Sequence, residues 1–315
     1  SVRPTARPSI LRHGTERNPP LESRTRQVGC FRQQGLTVLA ISRLSRKTLS
    51  MPSKPMIHCL LSAWAILLAI PPSIAAQDFP SSAWPQFRGV NCSGVAAANA
   101  RPPERASPTE NVLWKVEVPW SPSSPILWGD RLFLTTFHQG ELETRCYDTT
   151  TGALRWSKGI TPAELEVFHR TDGSPAASTP ATNGKQVVSY FGSFGLVCYD
   201  LDGRELWRRA LPVALSGGAY GSGTSPIISG NLVVLDRDQD KDSSLLAVDL
   251  QTGKTAWETT RPDPPRSFST PIIWNNEGSQ EVVLPGSLRL KGYDLKNGMQ
   301  RWVVEGTTGF ACPTP

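Results

Sequence analysis

The sequence predicts an all-β fold, a β-propeller of four-stranded antiparallel blades with about four complete blades present, and three observations carry that prediction. One phrase recurs at Tyr147–Trp156, Tyr199–Trp207, Val248–Trp257 and Tyr293–Trp302: a hydrophobic residue, an Asp, a Gly-containing turn and a Trp. A Ser or Thr precedes Pro at Ser124-Pro125, Thr179-Pro180, Ser225-Pro226, Thr270-Pro271 and Thr314-Pro315, and the last four prolines are 46, 45 and 44 residues apart. Between each Pro and the next Trp lie short β-rich runs broken by Gly, Asn and Asp. A fixed period of this length marks stacked supersecondary units, propeller blades among them.

Within the third copy the elements follow in order. Ile227–Ile228 is a short apolar run, Ser229-Gly230-Asn231 a turn, Leu232–Leu235 a second strand and Leu245–Asp249 a third. The chain then turns over Asp249–Gly253 and returns as Thr255–Thr259, which carries Trp257. An Asp before a tight turn bonds back to its own backbone, and Gly accepts the positive φ that the turn needs. Asp148, Asp200, Asp249 and Asp294, with Gly152, Gly203, Gly253 and Gly298, therefore read as turn residues. Trp156, Trp207, Trp257 and Trp302 read as packing between adjacent blades. Val112–Val118 alternates like a strand, and its Trp114 matches the repeat Trp.

The N-terminal part is organised differently. Residues 1–50 hold ten Lys or Arg against Glu16 and Glu22, with no hydrophobic periodicity, and read as a non-native or disordered extension; an organelle transit peptide is the alternative. Met51–Ala76 has Lys54, an apolar core at Cys59–Ile70 and small residues before Gln77, the layout of a cleavable secretory signal. The apolar core is shorter than the ~20 residues a spanning helix needs, so no stable membrane span is expected after cleavage. Residues 77–110 form an extended lead-in expected to pack through Trp84 and Phe87, and 111–315 hold the repeats. From Gln77 onward acidic residues outnumber basic ones, 25 to 22, which argues against nucleic acid as a partner. Cys146 and Cys198 occupy the repeat position that Ala247 and Gly292 fill elsewhere. They, Cys92 and Cys312 read as structural thiols rather than disulfides.

The Tyr/Val-Asp, Gly, Trp phrase over about Asn111–Pro315 resembles the repeat of the pyrroloquinoline-quinone-type (PQQ-like) propellers. That resemblance implies the propeller fold and two classes of activity: quinoprotein alcohol dehydrogenases, and non-enzymatic BamB-like outer-membrane assembly proteins. Such propellers commonly close with more blades than are complete here, so the chain reads as a C-terminally truncated member. The dehydrogenases would need a quinone platform, a Ca²⁺ site, an Asp base and a pair of adjacent cysteines; no Cys-Cys pair occurs in the sequence. No catalytic residue and no cofactor are expected, PQQ and Ca²⁺ being the ones the resemblance raises.

Individual motifs point the same way. Asp236, Asp238 and Asp240 alternate as in a Ca²⁺ loop, yet Lys241 stands where that loop needs Gly, and Ala247 where it needs its terminal acid. His169-Arg170-Thr171-Asp172 lacks the partners of a kinase loop, and Gly217–Gly223 lacks the strand-to-helix context of a phosphate loop. In a four-stranded blade the second-to-third and fourth-to-first connections emerge at one end. His169, Arg170, Tyr220, Asp236, Asp238 and Arg266 are therefore expected to line one mouth, where loops on a rigid scaffold carry binding residues. The expected function is an exported, periplasmic or extracellular, non-catalytic binding or scaffold module for protein segments or saccharides. A quinoprotein dehydrogenase fragment, or a sugar hydrolase using Asp236 and Asp238, is the alternative.

Overall fold

The computed structural model describes Pro80, residues 83–171, 173–262 and 267–309, Cys312, Thr314 and Pro315. The chain divides between Leu68 and Ala69, and every described residue lies in the second unit, Ala69–Pro315. The expected N-terminal extension, the signal segment and Arg266 lie outside the described residues. Among the described residues no helix is long and apolar enough to cross a membrane.

The second unit holds four four-stranded antiparallel sheets, each a meander in chain order. Blade one is β1 (Ile126–Trp128), β2 (Arg131–His138), β3 (Glu141–Asp148) and β4 (Leu154–Ile160). Blade two is β5 (Ala181–Thr182), β6 (Gln186–Phe191), β7 (Gly195–Asp200) and β8 (Glu205–Ala210). Blade three is β9 (Ile227–Ser229), β10 (Leu232–Arg237), β11 (Ser244–Asp249) and β12 (Thr255–Thr260). Blade four is β13 (Ile272–Asn276), β14 (Ser279–Gly286), β15 (Arg289–Asp294) and β16 (Gln300–Glu305). The chain is thus an arc of propeller blades, as the repeat predicts.

Apolar seams join successive blades. Leu142 and Cys146 of blade one meet Val187, Val197 and Tyr199 of blade two. Tyr190, Leu196 and Trp207 of blade two meet Val233, Leu235 and Val248 of blade three. Val234, Leu245 and Trp257 of blade three meet Val282, Leu284 and Tyr293 of blade four. The third strands alternate so that successive residues feed opposite seams, which is why Gly195–Asp200 and Ser244–Asp249 are buried on both faces. Each such aliphatic side chain, fully buried, contributes about 1.5–3 kcal/mol.

Every third strand also carries the same bulge, between Cys146/Tyr147, Cys198/Tyr199, Ala247/Val248 and Gly292/Tyr293. The residue before the bulge lies directly across the ladder from the repeat Trp. The position takes small residues, and in blade four only Gly fits, because a Cβ on Gly292 would stand 2.2 Å from the Trp302 ring. Cys92, Cys146, Cys198 and Cys312 are free thiols, and burial pushes the first three up to about 12.

The hydroxyl before each Pro has a matching role. Ser124 N donates to Thr179 Oγ1 (3.0 Å), Thr179 N to Ser225 Oγ (3.0 Å) and Ser225 N to Thr270 Oγ1 (3.2 Å), so the repeat links blade to blade. The lead-in is a strap across the first strands of all four sheets. Trp84 exchanges two 2.9 Å backbone bonds with Leu127, Thr182 N donates to Pro85 O, Ile228 N donates to Gln86 Oε1, and Asn91 brackets Ile273 with two 2.8 Å bonds.

Val112–Val118 departs from the sequence expectation: it forms no strand, and Leu113 is 90% exposed. A strand needs a neighbour to satisfy its backbone, and none of the described residues pairs with this segment. Trp114 nevertheless takes the position of a repeat Trp, donating to Thr149 O at 2.8 Å over Gly152.

Candidate binding site at the mouth of the blades

The two ends of the blades hold different residues. At the turn end, the Asp carboxylates accept the next backbone N–H groups: Asp148 from Thr150 and Thr151, Asp200 from Asp202 and Arg204, Asp249 from Gln251 and Thr252, Asp294 from Lys296 and Asn297. The turn glycines, at φ +73, +84, +68 and +72, receive the Trp of the preceding blade on a side where a Cβ would collide: Trp114 on Gly152, Trp156 on Gly203, Trp207 on Gly253 and Trp257 on Gly298. Trp156, Trp207 and Trp257 then donate to Leu201, Leu250 and Leu295 carbonyls at 2.8–3.0 Å. Trp302 differs, since its Nε1 donates to Glu281 Oε2 within its own blade.

At the mouth end the sequence expectation for the acidic run is corrected. Asp236 does not line an open mouth: with Arg237 it continues β10, paired with Leu245 and Ser244, and it is fully buried. The counter-charge comes from Arg261, just past β12. Its Nε and Nη2 bond both Asp238 oxygens at 2.6 and 2.7 Å, its Nη1 donates to the Tyr293 hydroxyl, and it stands 3.6 Å from Asp236 Oδ1. Burial works against the Arg261 charge, yet the bonds and charges of Asp238 and Asp236 outweigh it and hold the guanidinium protonated. Burial, followed by the neighbouring Asp238 charge, pushes Asp236 well above the ordinary carboxylate range. Neither Asp236 oxygen has a hydrogen-bond partner, so nothing in its own bonding offsets the cost of burying its charge.

This arrangement does not fit Ca²⁺, because the Arg261 guanidinium already occupies both Asp238 oxygens. Asp240 lies apart and exposed, accepting from Gly217 N. Among the described residues no group of three His, Cys, Asp or Glu is placed to hold a metal ion. Nor do the repeat tryptophans offer a quinone platform, since the faces of Trp114, Trp156, Trp207 and Trp257 rest on glycines of the next blade.

The other mouth residues gather on two connections. Phe168, next to exposed His169 and Arg170 in the β4–β5 connection, forms a backbone bridge with Tyr220 in the β8–β9 connection. Tyr220 is 66% exposed and meets Phe268 edge to face at 6.1 Å; His169 Nδ1 lies 2.8 Å from Thr171 Oγ1. Between the two connections lies a groove of about 280 Å³, lined by Glu164, Leu165, Glu166, Val167, Leu215 and Asp240 among others. Glu166 forms the buried part of that wall and holds the connections together, accepting from Ser222 N (2.7 Å) and Ser222 Oγ (3.1 Å). Burial raises its carboxyl to about 7, against the lowering effect of the two Ser222 bonds.

Sequence reasoning singled out neither Glu166 nor Arg261. Glu166 sits in the alternation Leu165-Glu166-Val167, which marks an inward-facing acid once the strand-like bridge is known. Arg261 gives no local signal, because its partners come from β10 and β15.

The fold and site define an arc of propeller blades bearing a groove at one end. The family model described as outer membrane protein assembly factor BamB matches residues 143–309, and the chain belongs to this family of PQQ-like repeats. No curated protein matches the sequence. Among solved structures the chain is similar to BamB from Moraxella catarrhalis (16% identity, TM-score 0.41, covering 58% of this chain and 48% of that one). It is also similar to a quinohemoprotein alcohol dehydrogenase, ADHIIG, from Pseudomonas putida HK5 (15%, 0.44, 63% and 36%) and to a europium-containing methanol dehydrogenase (12%, 0.42, 60% and 42%). The chain spans less than half the length of each of these structures.

Proposed function

We propose that this chain is an exported, non-catalytic binding module that holds a protein segment in the groove between the β4–β5 and β8–β9 connections. The observation that carries the reading is apolar exposure at a recess on a packed scaffold: Val167 is 65% exposed, Leu215 52% and Leu165 38%, all lining one groove. Exposed apolar side chains gathered at a concave site mark a binding surface. Asp236 and Asp238, the pair a hydrolase would use, are held against Arg261 rather than presented to a substrate. The name of the matching family, an assembly factor for outer membrane proteins, supports protein segments over saccharides as partners. Export is supported by that name together with the secretory pattern of Met51–Ala76, so that the mature chain would begin at Gln77, with 77–110 as the strap and 111–315 carrying blades.

The test is a fluorescence-anisotropy titration of the full chain with a labelled, extended peptide alternating Leu and Gln. Saturable binding is expected, and Leu215→Asp or Val167→Asp weakens it about tenfold or more while far-UV circular dichroism stays unchanged. Met299→Asp, on the exposed β15–β16 turn, leaves it intact. Absence of binding, or equal loss in all three variants, overturns the proposal.

A further inference from the structure

We infer that the groove selects a basic protein segment, one carrying a lysine or arginine beside an apolar residue. The inference rests on the reading of the groove as a protein-binding site and adds the chemistry of what it accepts.

Charge is the first observation. Glu164, Glu166 and Asp240 line the groove, and among the described residues no Lys, Arg or His belongs to its lining. Two described basic residues of the mouth are engaged by other groups. Buried Arg237 donates to Pro212 O, and Arg261 is held by Asp238. Arg170 and Lys241 stand exposed beside the groove without lining it.

Shape and polarity supply the second. Ser216, nine-tenths buried on the same groove wall, has a hydroxyl with no hydrogen-bond partner. A buried hydroxyl without a partner costs free energy until something bonds it. An ammonium or guanidinium reaching the groove would donate to Ser216 Oγ and to Glu166, whose bonds from Ser222 leave acceptor capacity on both oxygens. Long basic side chains suit such a place, because their aliphatic stems pack on apolar surface while the charged end finds acceptors. Leu165, Val167 and Leu215 provide that surface. A volume of about 280 Å³ accommodates side chains rather than a folded element. The bonds formed to the acids would be charge-assisted, the stronger class of hydrogen bond.

Three labelled peptides of equal length, alternating Leu with Lys, with Gln or with Glu, are titrated into the full chain at fixed ionic strength. The lysine peptide is expected to bind about tenfold more tightly than the glutamine peptide, and the glutamate peptide more weakly than either. Glu164→Gln, at an exposed position, and Glu166→Gln each shrink the ratio of lysine-peptide to glutamine-peptide affinity. Glu104→Gln, on the exposed lead-in, leaves all three affinities as they were. Equal binding of the lysine and glutamine peptides overturns the charge selection and leaves the protein-binding reading standing. A lysine preference that survives Glu164→Gln with Glu166→Gln also overturns it, since the attraction would then come from net acidity elsewhere. Binding of none of the three peptides overturns the underlying reading itself.

Discussion

The turn end and the mouth end of the same four sheets are built on opposite electrostatic terms. At the turn end, side-chain and backbone hydrogen bonds hold Asp148, Asp249 and Asp294 below the usual carboxylate range, with Arg155 and Arg301 beside the first and last. At the mouth end, burial lifts Glu166 and Asp236 above it. Asp148, Asp249 and Asp294 are favoured as anions, whereas burial favours the acid form of Glu166 and Asp236. The difference teaches where repetition stops. Turn-end residues serve the same contact in every blade and so recur, whereas mouth-end residues are unique to their blade.

The largest effects should come from removing a contact that a seam depends on. Trp207→Ala deletes a buried ring, its bond to Leu250 O and its cover on Gly253, and is expected to lower stability by about 3–5 kcal/mol in urea unfolding. Trp302→Ala removes a less buried ring that bonds only its own blade's Glu281, and should cost clearly less. Equal losses would mean that the Trp acts within its blade and not across the seam.

At the mouth, Arg261→Met removes the guanidinium that bonds both oxygens of the largely buried Asp238 and should cost a similar amount, about 3–5 kcal/mol. The double variant Arg261→Met with Asp238→Leu should recover most of that loss, because no unpaired charge remains. If the double variant is no better than the single, the cluster's role is packing rather than charge.

A smaller effect tests the turn glycines. A Cβ on Gly253 would stand 2.6 Å from the Trp207 ring, at φ +68, so Gly253→Ala should cost about 1–3 kcal/mol. Gly230 is also at positive φ, +56, but nothing lies within 4 Å of its would-be Cβ, and Gly230→Ala should cost less. The gap between the two isolates the contact with Trp from backbone strain.

These residues also show how much could be read from the sequence. The blades, their turns and the inter-blade Trp were legible because each contact is local to one repeat and recurs. In blade three the expected strands match the observed ones, except that β10 runs on to include Asp236 and Arg237. That extension depends on Arg261, a residue 25 positions beyond Asp236 whose role appears only when β12 is folded back. His169, Arg170 and Tyr220 were placed at the mouth by topology alone. Glu166, which ties two of the mouth connections together, was not legible because its partner Ser222 comes from the next blade's approach. Val112–Val118 has a strand's alternation without a strand's neighbour, and alternation cannot supply one.

The finest test of the two-ended electrostatics is the pH dependence of Glu166→Gln. Glutamine keeps the acceptor for Ser222 N and can donate to Ser222 Oγ, so the bridge between connections is preserved without a titrating group. In the parent, the folded value is about 7 against an ordinary 4.5. The folded state therefore holds more protons than the unfolded one between those values, and stability falls as pH rises across that window. The contribution is fully present below about 4.5 and lost by about 7. At roughly 1.4 kcal/mol per unit, the variant should be the more stable form at pH 8 by on the order of 3 kcal/mol, with the gap closing towards pH 4. The turn aspartates titrate with the opposite sign, losing stability as pH falls below the ordinary carboxylate value, but they are common to both proteins and cancel in the difference. A gap that stays constant from pH 4 to pH 8 would show that folding does not shift the titration of Glu166, and its carboxylate would then be charged at neutral pH like those of the turn end.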